Sequence, residues 1–365
     1  MVPDPGRLLA KNAVDEHADA PGTVRGIDQE PVSSWLAEHI EGAVPPFDYS
    51  LITGGHSNLT YLVTGADGTR YVLRRPPLGA VLATAHDMAR EHRIISGVGQ
   101  TSVPAPRALG LCEDESVNGA PFYVMSFVDG VVLHDAATTT ETLPDAASRA
   151  RVGESVVEVL AALHAVDPAA VGLGDLARTD AYLDRQLKRW RTQWESSKTR
   201  ELPAMEEAYE LLVAAKPEQR YSGIVHGDYR LGNMLVDPGS ATVAAVLDWE
   251  LCTLGDVLAD VGFLLNNWAQ PDEGTVSGAA QYPTVAGGFP DRAALVERYS
   301  ELTGFEVGNV EYYRAFQAWR LAAIVEGVLA RYLKGVMGDA GEPDRFCLQI
   351  DNLAAEALRM LRSLG

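Results

Sequence analysis

The sequence predicts an α+β protein in two lobes, a small strand-rich lobe followed by a larger, mainly helical one. Three observations predict this arrangement. Strand-like runs, the first three of them with alternating apolar residues, occur between about residue 49 and 127. After the Val-Asp-Gly turn at 128–130 the apolar residues recur at helical spacing. The length of 365 residues also leaves room for two lobes.

The first lobe is expected to span residues 31–127, after a flexible polar segment at 1–30 that is rich in Pro, Gly and Asp. A helix is predicted at 32–40 and is ended by the Pro-Pro pair at 45–46. The runs "YSLIT", "LTYLVT" and "RYVLR" predict three strands, joined by "GGHSN" and "GADG". A helix at about 83–95 and strands at about 107–112 and 122–127 complete the lobe.

The second lobe, residues 128–365, is predicted to be mostly helical. Helices are expected up to His164, over "AYLDRQLKRWRTQW", and at about 256–268, 292–303, 310–332 and 344–364. The loop "HGDYRLGNML" at 226–235 interrupts them and is flanked by two strand-like apolar runs. The segment 270–290 has loop composition and is expected to form a mobile flap near a substrate.

Composition restricts the partners and the compartment. Lys+Arg 30 against Asp+Glu 50 gives a formal net charge of −20, which repels nucleic acid and anionic membrane surfaces. A phosphate-bearing ligand therefore needs a local basic or metal-loaded site. The three cysteines, Cys112, Cys252 and Cys347, are expected to be reduced core residues. The absence of a signal-like or membrane-spanning apolar stretch predicts a cytoplasmic protein.

The loop at 226–235 carries the main chemical signal. His226, Asp228 and Asn233 match the H-x-D-x-x-x-x-N pattern of a kinase catalytic loop, which predicts Asp228 as catalytic base and Asn233 as a magnesium ligand. The following "MLVDPGSATVAAVLD" predicts a hairpin that returns the chain to Asp248, a second magnesium ligand. An ordinary turn with a capping Asp is the structural alternative. His226 is expected to brace the loop.

Three features of the first lobe suggest nucleotide binding. The "GGHSN" loop, with Gly55, Ser57 and Asn58, could fold over phosphates, although a plain hairpin turn explains it as well. Arg74 occupies the third-strand position where kinases use Lys to hold phosphates. Glu91 stands where an ion-pair partner for Arg74 is expected, with a solvated helix-face Glu as the alternative.

The run "FYVMSFVDG" at 122–130 predicts a buried strand that leads into the link between the lobes. By comparison with kinases, Met125 would lie behind an adenine ring, and Ser126, Phe127 and Val128 would offer it hydrogen bonds. A plain buried strand fits these side chains equally well.

Together these motifs resemble the aminoglycoside phosphotransferase and choline kinase-like superfamily. They are most similar to the kinase-like domains of some acyl-CoA dehydrogenases and to their stand-alone bacterial relatives, over roughly residues 31–361. The resemblance implies a protein-kinase-like bilobal fold with a five-stranded antiparallel sheet and one helix in the first lobe. It also implies transfer of phosphate from ATP, with Mg²⁺, to a hydroxyl of a small molecule.

The acceptor is left open by the sequence. Basic residues occur in the predicted helices of the second lobe: Arg185, Lys188, Arg189, Arg320 and Arg331. They could receive an anionic group such as a carboxylate or a CoA phosphate, or could pair with the many acidic residues. Three functions are therefore carried forward, namely a small-molecule kinase, a hydroxyacyl-CoA or hydroxy-acid kinase of lipid breakdown, and a catalytically idle kinase fold that serves as a binding module.

Overall fold

A computed structural model describes residues 24–53, 58–78, 87–270, 282–335 and 343–364. The chain divides into two compact units. The first contains the described residues up to Thr101 together with Ala105–Val128, and the second contains Ser102–Pro104 and the chain from Asp129 onward. Of the predicted flap at 270–290, residues 271–281 lie outside the described residues.

The first unit is built on a five-stranded antiparallel sheet, which confirms the predicted fold class. Counted along the chain, the strands lie in the order first, second, third, fifth and fourth, and every neighbouring pair runs antiparallel. Its elements in chain order are α1 (Gln29–His39), β1 (Asp48–Thr53), β2 (Leu59–Thr64), β3 (Arg70–Arg75), α2 (Met88–Val98), β4 (Ala108–Cys112), α3 (Glu115–Asn118) and β5 (Phe122–Ser126).

Residues 24–30, which the sequence assigned to a flexible segment, are anchored to this unit. The N–H of Asp28 donates to Asn118 Oδ1 at 2.9 Å, and helix α1 already begins at Gln29. Arg75, buried at the end of β3, donates to the carbonyl groups of Gly26 and Asn118. The sequence does not reveal this anchoring, because Arg75 and Asn118, which hold the segment, lie far along the chain. Helix α3 was also not predicted, since its four residues contain one apolar side chain and show no apolar period.

The second unit is mainly helical, as predicted, with two small two-stranded sheets. One sheet pairs Ser222–Val225 with Thr253–Asp256, and the other pairs Met234–Asp237 with Thr242–Val246. The elements are α4 (Ala136–Thr142), α5 (Ala146–His164), α6 (Tyr182–Ser197), α7 (Pro203–Ala214), β6 (Ser222–Val225), β7 (Met234–Asp237), β8 (Thr242–Val246), β9 (Thr253–Asp256), α8 (Leu258–Asn266), α9 (Arg292–Thr303), α10 (Val310–Leu333) and α11 (Pro343–Arg362).

The prediction of a helix at 256–268 was wrong about where the helix begins. The chain first forms strand β9, which pairs antiparallel with β6, and the helix begins only at Leu258. The side chain of Asp256 accepts a hydrogen bond from the N–H of Leu258 at 3.2 Å and so stabilises the first turn. The strand escaped prediction because its partner lies some thirty residues earlier in the chain. Helices α4 and α7 were also missed.

Two further expectations concern the state of the cysteines and the presence of membrane-spanning helices. All three cysteines are free; Cys112 and Cys252 are buried, whereas Cys347 is only half-buried and is therefore not the core residue expected. None of the helices in the described ranges is both long and apolar enough to cross a bilayer.

Helix α10 forms the centre of the second unit and packs against α8 at very short range. Its buried side chains include Phe316, Trp319 and Ala323. Gly262 of α8 permits the close approach, because a Cβ atom at this position would lie 2.7 Å from the carbonyl carbon of Tyr313. That carbon belongs to the backbone of α10 and cannot move aside like a flexible side chain.

Replacing Gly262 by Ala should therefore force α8 and α10 apart. Overpacking of this kind costs about 1–3 kcal/mol of unfolding free energy, measurable by urea denaturation. Gly308→Ala is the matched control, because no atom lies within 4 Å of a Cβ there. That variant should stay within about 0.5 kcal/mol of the parent protein. Equal stability of the two variants would contradict the close helix contact.

Candidate active site

A buried carboxylate holds the start of the loop at 226–235. Asp260 in α8 is fully buried and accepts two main-chain hydrogen bonds, from His226 N–H at 2.6 Å and from Gly227 N–H at 2.9 Å. Each bond uses a different carboxylate oxygen. Charge-assisted bonds of this kind are the strong ones in a protein interior. The loop therefore leaves strand β6 in one fixed direction.

Gly227 makes this direction possible. Its φ of +86° lies in the left-handed region that favours glycine, and a Cβ atom would lie 2.8 Å from the carbonyl oxygen of Leu251. Any other residue at this position would collide with the backbone of the segment that follows the hairpin. The Gly in the His-Gly-Asp sequence is thus required by packing.

His226 braces the loop, as expected from the sequence. Its Nδ1 atom accepts a hydrogen bond from the N–H of Asp228 at 3.2 Å, so Nδ1 carries no proton in this arrangement. The Nε2 atom then donates to the carbonyl oxygen of Leu247 at 3.0 Å. The ring is fully buried and lies 4.7 Å from the ring of Trp249. One imidazole therefore joins the loop to the end of the hairpin.

The structure brings Asp228, Asn233 and Asp248 together. The side-chain amide of Asn233 donates to Asp228 Oδ2 at 2.7 Å and to the carbonyl oxygen of Asp228 at 2.9 Å. Strands β7 and β8 place Met234 opposite Val246, and the N–H of Leu247 donates to the carbonyl oxygen of Asn233 at 2.8 Å. Asp248 follows directly, so the hairpin returns the chain to the loop as the sequence predicts.

The environment of Asp228 favours proton acceptance. Burial raises the pKa of this carboxyl group above its ordinary value, and the negative charge of Asp248 adds to the increase. The guanidinium of Arg230, 3.3 Å from Oδ1, and the hydrogen bond from Asn233 act in the opposite direction. The net result is a carboxylate that is more basic than usual and still 23% exposed.

Asp248 adopts a backbone conformation that few residues tolerate. Its φ of 64° and ψ of 65° lie in the left-handed region, at the start of a short 3₁₀ turn over Trp249–Leu251. Asp and Asn accept this conformation more readily than other non-glycine residues. Asn is therefore the substitution that removes the charge of Asp248 without adding backbone strain.

The predicted magnesium ligands have suitable donor chemistry. Since Asn233 uses its NH₂ group on Asp228, its Oδ1 atom is the remaining acceptor, and Asp248 supplies a carboxylate. Among the residues that the structure describes, no group of three or more His, Cys, Asp or Glu side chains could hold a metal. Two oxygen ligands alone suit Mg²⁺, which keeps several waters and completes its shell with substrate phosphates.

Part of the predicted phosphate-binding region lies in the first unit. Arg74 Nε lies 3.2 Å from Glu91 Oε1, which is the ion pair expected from the sequence. Glu91 is buried and also accepts from Asn58 Nδ2 at 3.4 Å. Gly55 and Ser57 lie outside the described residues.

Strand β5 carries the predicted adenine-binding segment. Met125 is buried opposite Val72, and β5 ends at Ser126. The N–H of Ser126 already donates to the carbonyl oxygen of Arg107 at 2.9 Å, so this donor is used within the unit. Phe127 and Val128 follow beyond the strand, and the ring of Phe127 lies 4.0 Å from the guanidinium carbon of Arg70. Of the three predicted hydrogen-bonding residues, Ser126 therefore has its N–H occupied within the unit.

Sequence reasoning missed a buried polar network behind the loop. His164 Nδ1 forms a hydrogen bond with Tyr299 Oη at 2.6 Å, and its Nε2 lies 3.4 Å from Asp260 Oδ2. A second buried carboxylate, Asp256, accepts from Tyr313 Oη at 2.6 Å. The segment "GDVLADVGFLL" could have indicated these buried acids, because two acidic residues stand four positions apart in an otherwise apolar stretch.

Comparison with known proteins identifies the family. The sequence model of the phosphotransferase enzyme family matches residues 48–295, more than half of the chain. The chain belongs to this family. The match includes the loop, the hairpin and Asp260, together with all five strands of the first unit.

Individual relatives agree with this assignment. The chain is 35% identical over 318 residues to acyl-CoA dehydrogenase family member 10 of Mus musculus, and this match covers 84% of the chain but only 28% of that relative. A crystal structure of a putative aminoglycoside phosphotransferase from Ralstonia eutropha has 33% identity and a TM-score of 0.78, covering 92% of this chain and 98% of that one.

A more distant structure shares the fold alone. A thermostable mutant of aminoglycoside phosphotransferase APH(4)-Ia, solved with AMP-PNP and hygromycin B, has 18% identity and a TM-score of 0.59. That match covers 92% of this chain and 99% of the other.

The buried Asp256 predicts a pH dependence of stability. Burial raises its pKa from the ordinary 3.8 to about 6, although the hydrogen bonds from Tyr313 and Leu258 lower it. The folded protein therefore binds a proton that the unfolded chain releases between these values. This stabilisation is complete below about pH 4 and is lost as the pH rises through 6, a change of roughly 3 kcal/mol.

Asp256→Asn should remove this contribution. Urea denaturation at several pH values should show the variant gaining stability relative to the parent between pH 4 and 7.5, by roughly 3 kcal/mol. Parallel stability curves for the two proteins would contradict a raised pKa at Asp256.

Proposed function

We propose that this phosphotransferase is a small-molecule kinase that uses ATP and Mg²⁺ to phosphorylate a hydroxyl group. One observation carries the proposal. A basic, partly exposed carboxylate, Asp228, is hydrogen-bonded to Asn233, and Asp248 is returned to the same place by the hairpin. This set provides a proton acceptor beside two oxygen ligands for a metal, which are the groups that phosphoryl transfer requires.

In the proposed reaction Asp228 accepts the acceptor's proton. The hydroxyl oxygen attacks the γ-phosphorus, the bond from that phosphorus to the β-phosphate bridging oxygen breaks, and ADP leaves. Asn233 orients Asp228 through the amide hydrogen bond, and burial keeps the carboxylate basic enough to take the proton. Mg²⁺, held by Asn233 and Asp248 when bound, would neutralise the charge of the phosphates.

Residues of the first unit are proposed to bind the nucleotide. Arg74 is oriented by Glu91 and offers a planar guanidinium, which suits phosphate oxygens. Met125, Phe127 and Val128 are proposed to contact the base. The related APH(4)-Ia structure contains AMP-PNP, and this supports an adenine nucleotide as the phosphate donor.

A hydroxyacyl-CoA or hydroxy-acid acceptor is the second candidate. It is favoured by the similarity to proteins named as acyl-CoA dehydrogenase family members. An idle binding module is less well supported, because Asp228, Asn233 and Asp248 are all present and brought together.

The assignment of Asp228 is tested by Asp228→Asn. A screen of γ-phosphate transfer from ATP would first be run over aminoglycosides, macrolides, choline-like amines and hydroxyacyl thioesters. With the best acceptor, the variant should lose about 10²-fold or more in turnover, the usual scale for a general base. Because Asn keeps an oxygen that can accept from the Asn233 amide, ATP affinity should change little.

Glu218→Gln serves as the matched control, since Glu218 is exposed and the substitution removes one negative charge in the same way. Its turnover should equal that of the parent. Unchanged turnover in Asp228→Asn would remove Asp228 from the reaction, and transfer to none of the acceptor classes would count against the kinase proposal.

A further inference from the structure

Two arginines of the second unit converge on one indole ring. The guanidinium carbon of Arg189 lies 5.1 Å from the ring centroid of Trp190, and that of Arg320 lies 5.2 Å from the same ring. Arg189 and Trp190 belong to α6, and Arg320 belongs to α10. Two positive charges beside one ring raise the local positive potential, which attracts an anion.

Arg320 is buried without a carboxylate partner. The residue is 7% exposed, and its Nε atom has no hydrogen-bond partner. Its Nη1 atom donates to two neutral acceptors, Gln317 Oε1 at 2.9 Å and the carbonyl oxygen of Gly227 at 3.2 Å. Within the described part of the chain no acidic side chain forms an ion pair with Arg320. Buried charges are normally paired, so this guanidinium has unused capacity to bind an anion.

The surroundings of Arg320 favour such binding. Burial lowers the pKa of this guanidinium, and the neighbouring charge of Arg189 acts in the same direction, while Tyr182 and the charges of Asp228 and Asp260 raise it. The ring of Phe263, with its centroid 6.0 Å from the guanidinium carbon, excludes water on one side. A guanidinium in such a site forms stronger bonds to an oxyanion than an exposed one does.

The position of Arg320 links it to the proposed reaction. The same Nη1 atom contacts the carbonyl oxygen of Gly227, the residue immediately before Asp228. An anion bound here would therefore lie close to the group that is proposed to receive the acceptor's proton. Ligands with a hydroxyl group and a nearby negative charge fit this placement.

We propose that Arg320 and Arg189 bind an oxyanion, a carboxylate or a phosphate monoester, on the acceptor substrate. The kinase would accordingly select hydroxyl compounds that carry a negative charge near the hydroxyl. This inference rests on the proposed function only for the identity of the ligand as an acceptor, because anion binding itself can be measured without turnover.

The test uses three probes of similar size on the full chain: glycerate, glycerol 3-phosphate and neutral glycerol. Ligand-observed NMR titrations in the presence of AMP-PNP and Mg²⁺ would give their affinities. At least one of the two anions should bind at least about 10-fold more tightly than glycerol, as expected for one charge-assisted contact. The stronger of the two anions distinguishes a carboxylate from a phosphate ligand.

Two substitutions test whether the anion binds to Arg320 and Arg189. Arg320→Lys keeps the charge but loses the planar fork, and should weaken anion binding by about 10-fold. Arg189→Gln, at an exposed position, should weaken it by about 3-fold. Lys188→Gln is the matched control, because Lys188 is the exposed neighbour on α6 and the variant loses the same charge. Its anion affinity should not change.

The outcomes separate this inference from the proposed function. Equal or weaker binding of both anions relative to glycerol overturns the anion site, whatever the enzyme phosphorylates. Equal losses of anion affinity in Lys188→Gln and Arg189→Gln would also overturn the anion site, because the affinity would then depend only on the net charge of the protein. Anion binding that is retained in Asp228→Asn supports the site even if phosphoryl transfer to every acceptor fails.

Discussion

The buried carboxylate of Asp260 is the constraint on which the catalytic loop depends. By accepting from the N–H groups of His226 and Gly227, it fixes the direction in which the chain leaves strand β6. Removing such an acceptor would leave two buried donors unpaired, at a cost of about 1–3 kcal/mol for each. His164 lies against the same carboxylate and extends the network to Tyr299. The loop is thus positioned from behind by groups that never need to touch a substrate.

Hydrogen bonds and one strand pairing then position the remaining side chains of the site. His226 connects the loop to Leu247, and Asn233 connects Asp228 to the first strand of the hairpin. The register of β7 and β8 then decides where Asp248 emerges. A slip of one residue in that register would turn Asp248 away from Asn233. The geometry of three polar side chains therefore rests on one carboxylate, one imidazole and one strand pairing.

The features that could be predicted from the sequence are those encoded locally. The first three strands show alternating apolar residues, and the loop and hairpin show turn residues at fixed spacing, so Asp228, Asn233 and Asp248 were found together. Strand β9 and the anchoring of residues 24–30 depend on partners distant in the chain, and no local pattern contains them. The same reason hid Asp260, since a buried acid is recognised only when its donors are known. For Arg320 the sequence left two interpretations, and the hydrogen bonds of its Nη1 atom to two neutral acceptors support the proposed anion site.

The most direct test of the central claim is to locate a bound metal. Crystals of the protein grown with Mn²⁺ and AMP-PNP would be measured for anomalous scattering from manganese. The account predicts a peak within about 2.2 Å of Asn233 Oδ1 and of a carboxylate oxygen of Asp248, the distance range of hard divalent cations and oxygen ligands. The peak should be lost or much weaker in Asp248→Asn. A nucleotide bound with its manganese remote from both side chains would contradict the account.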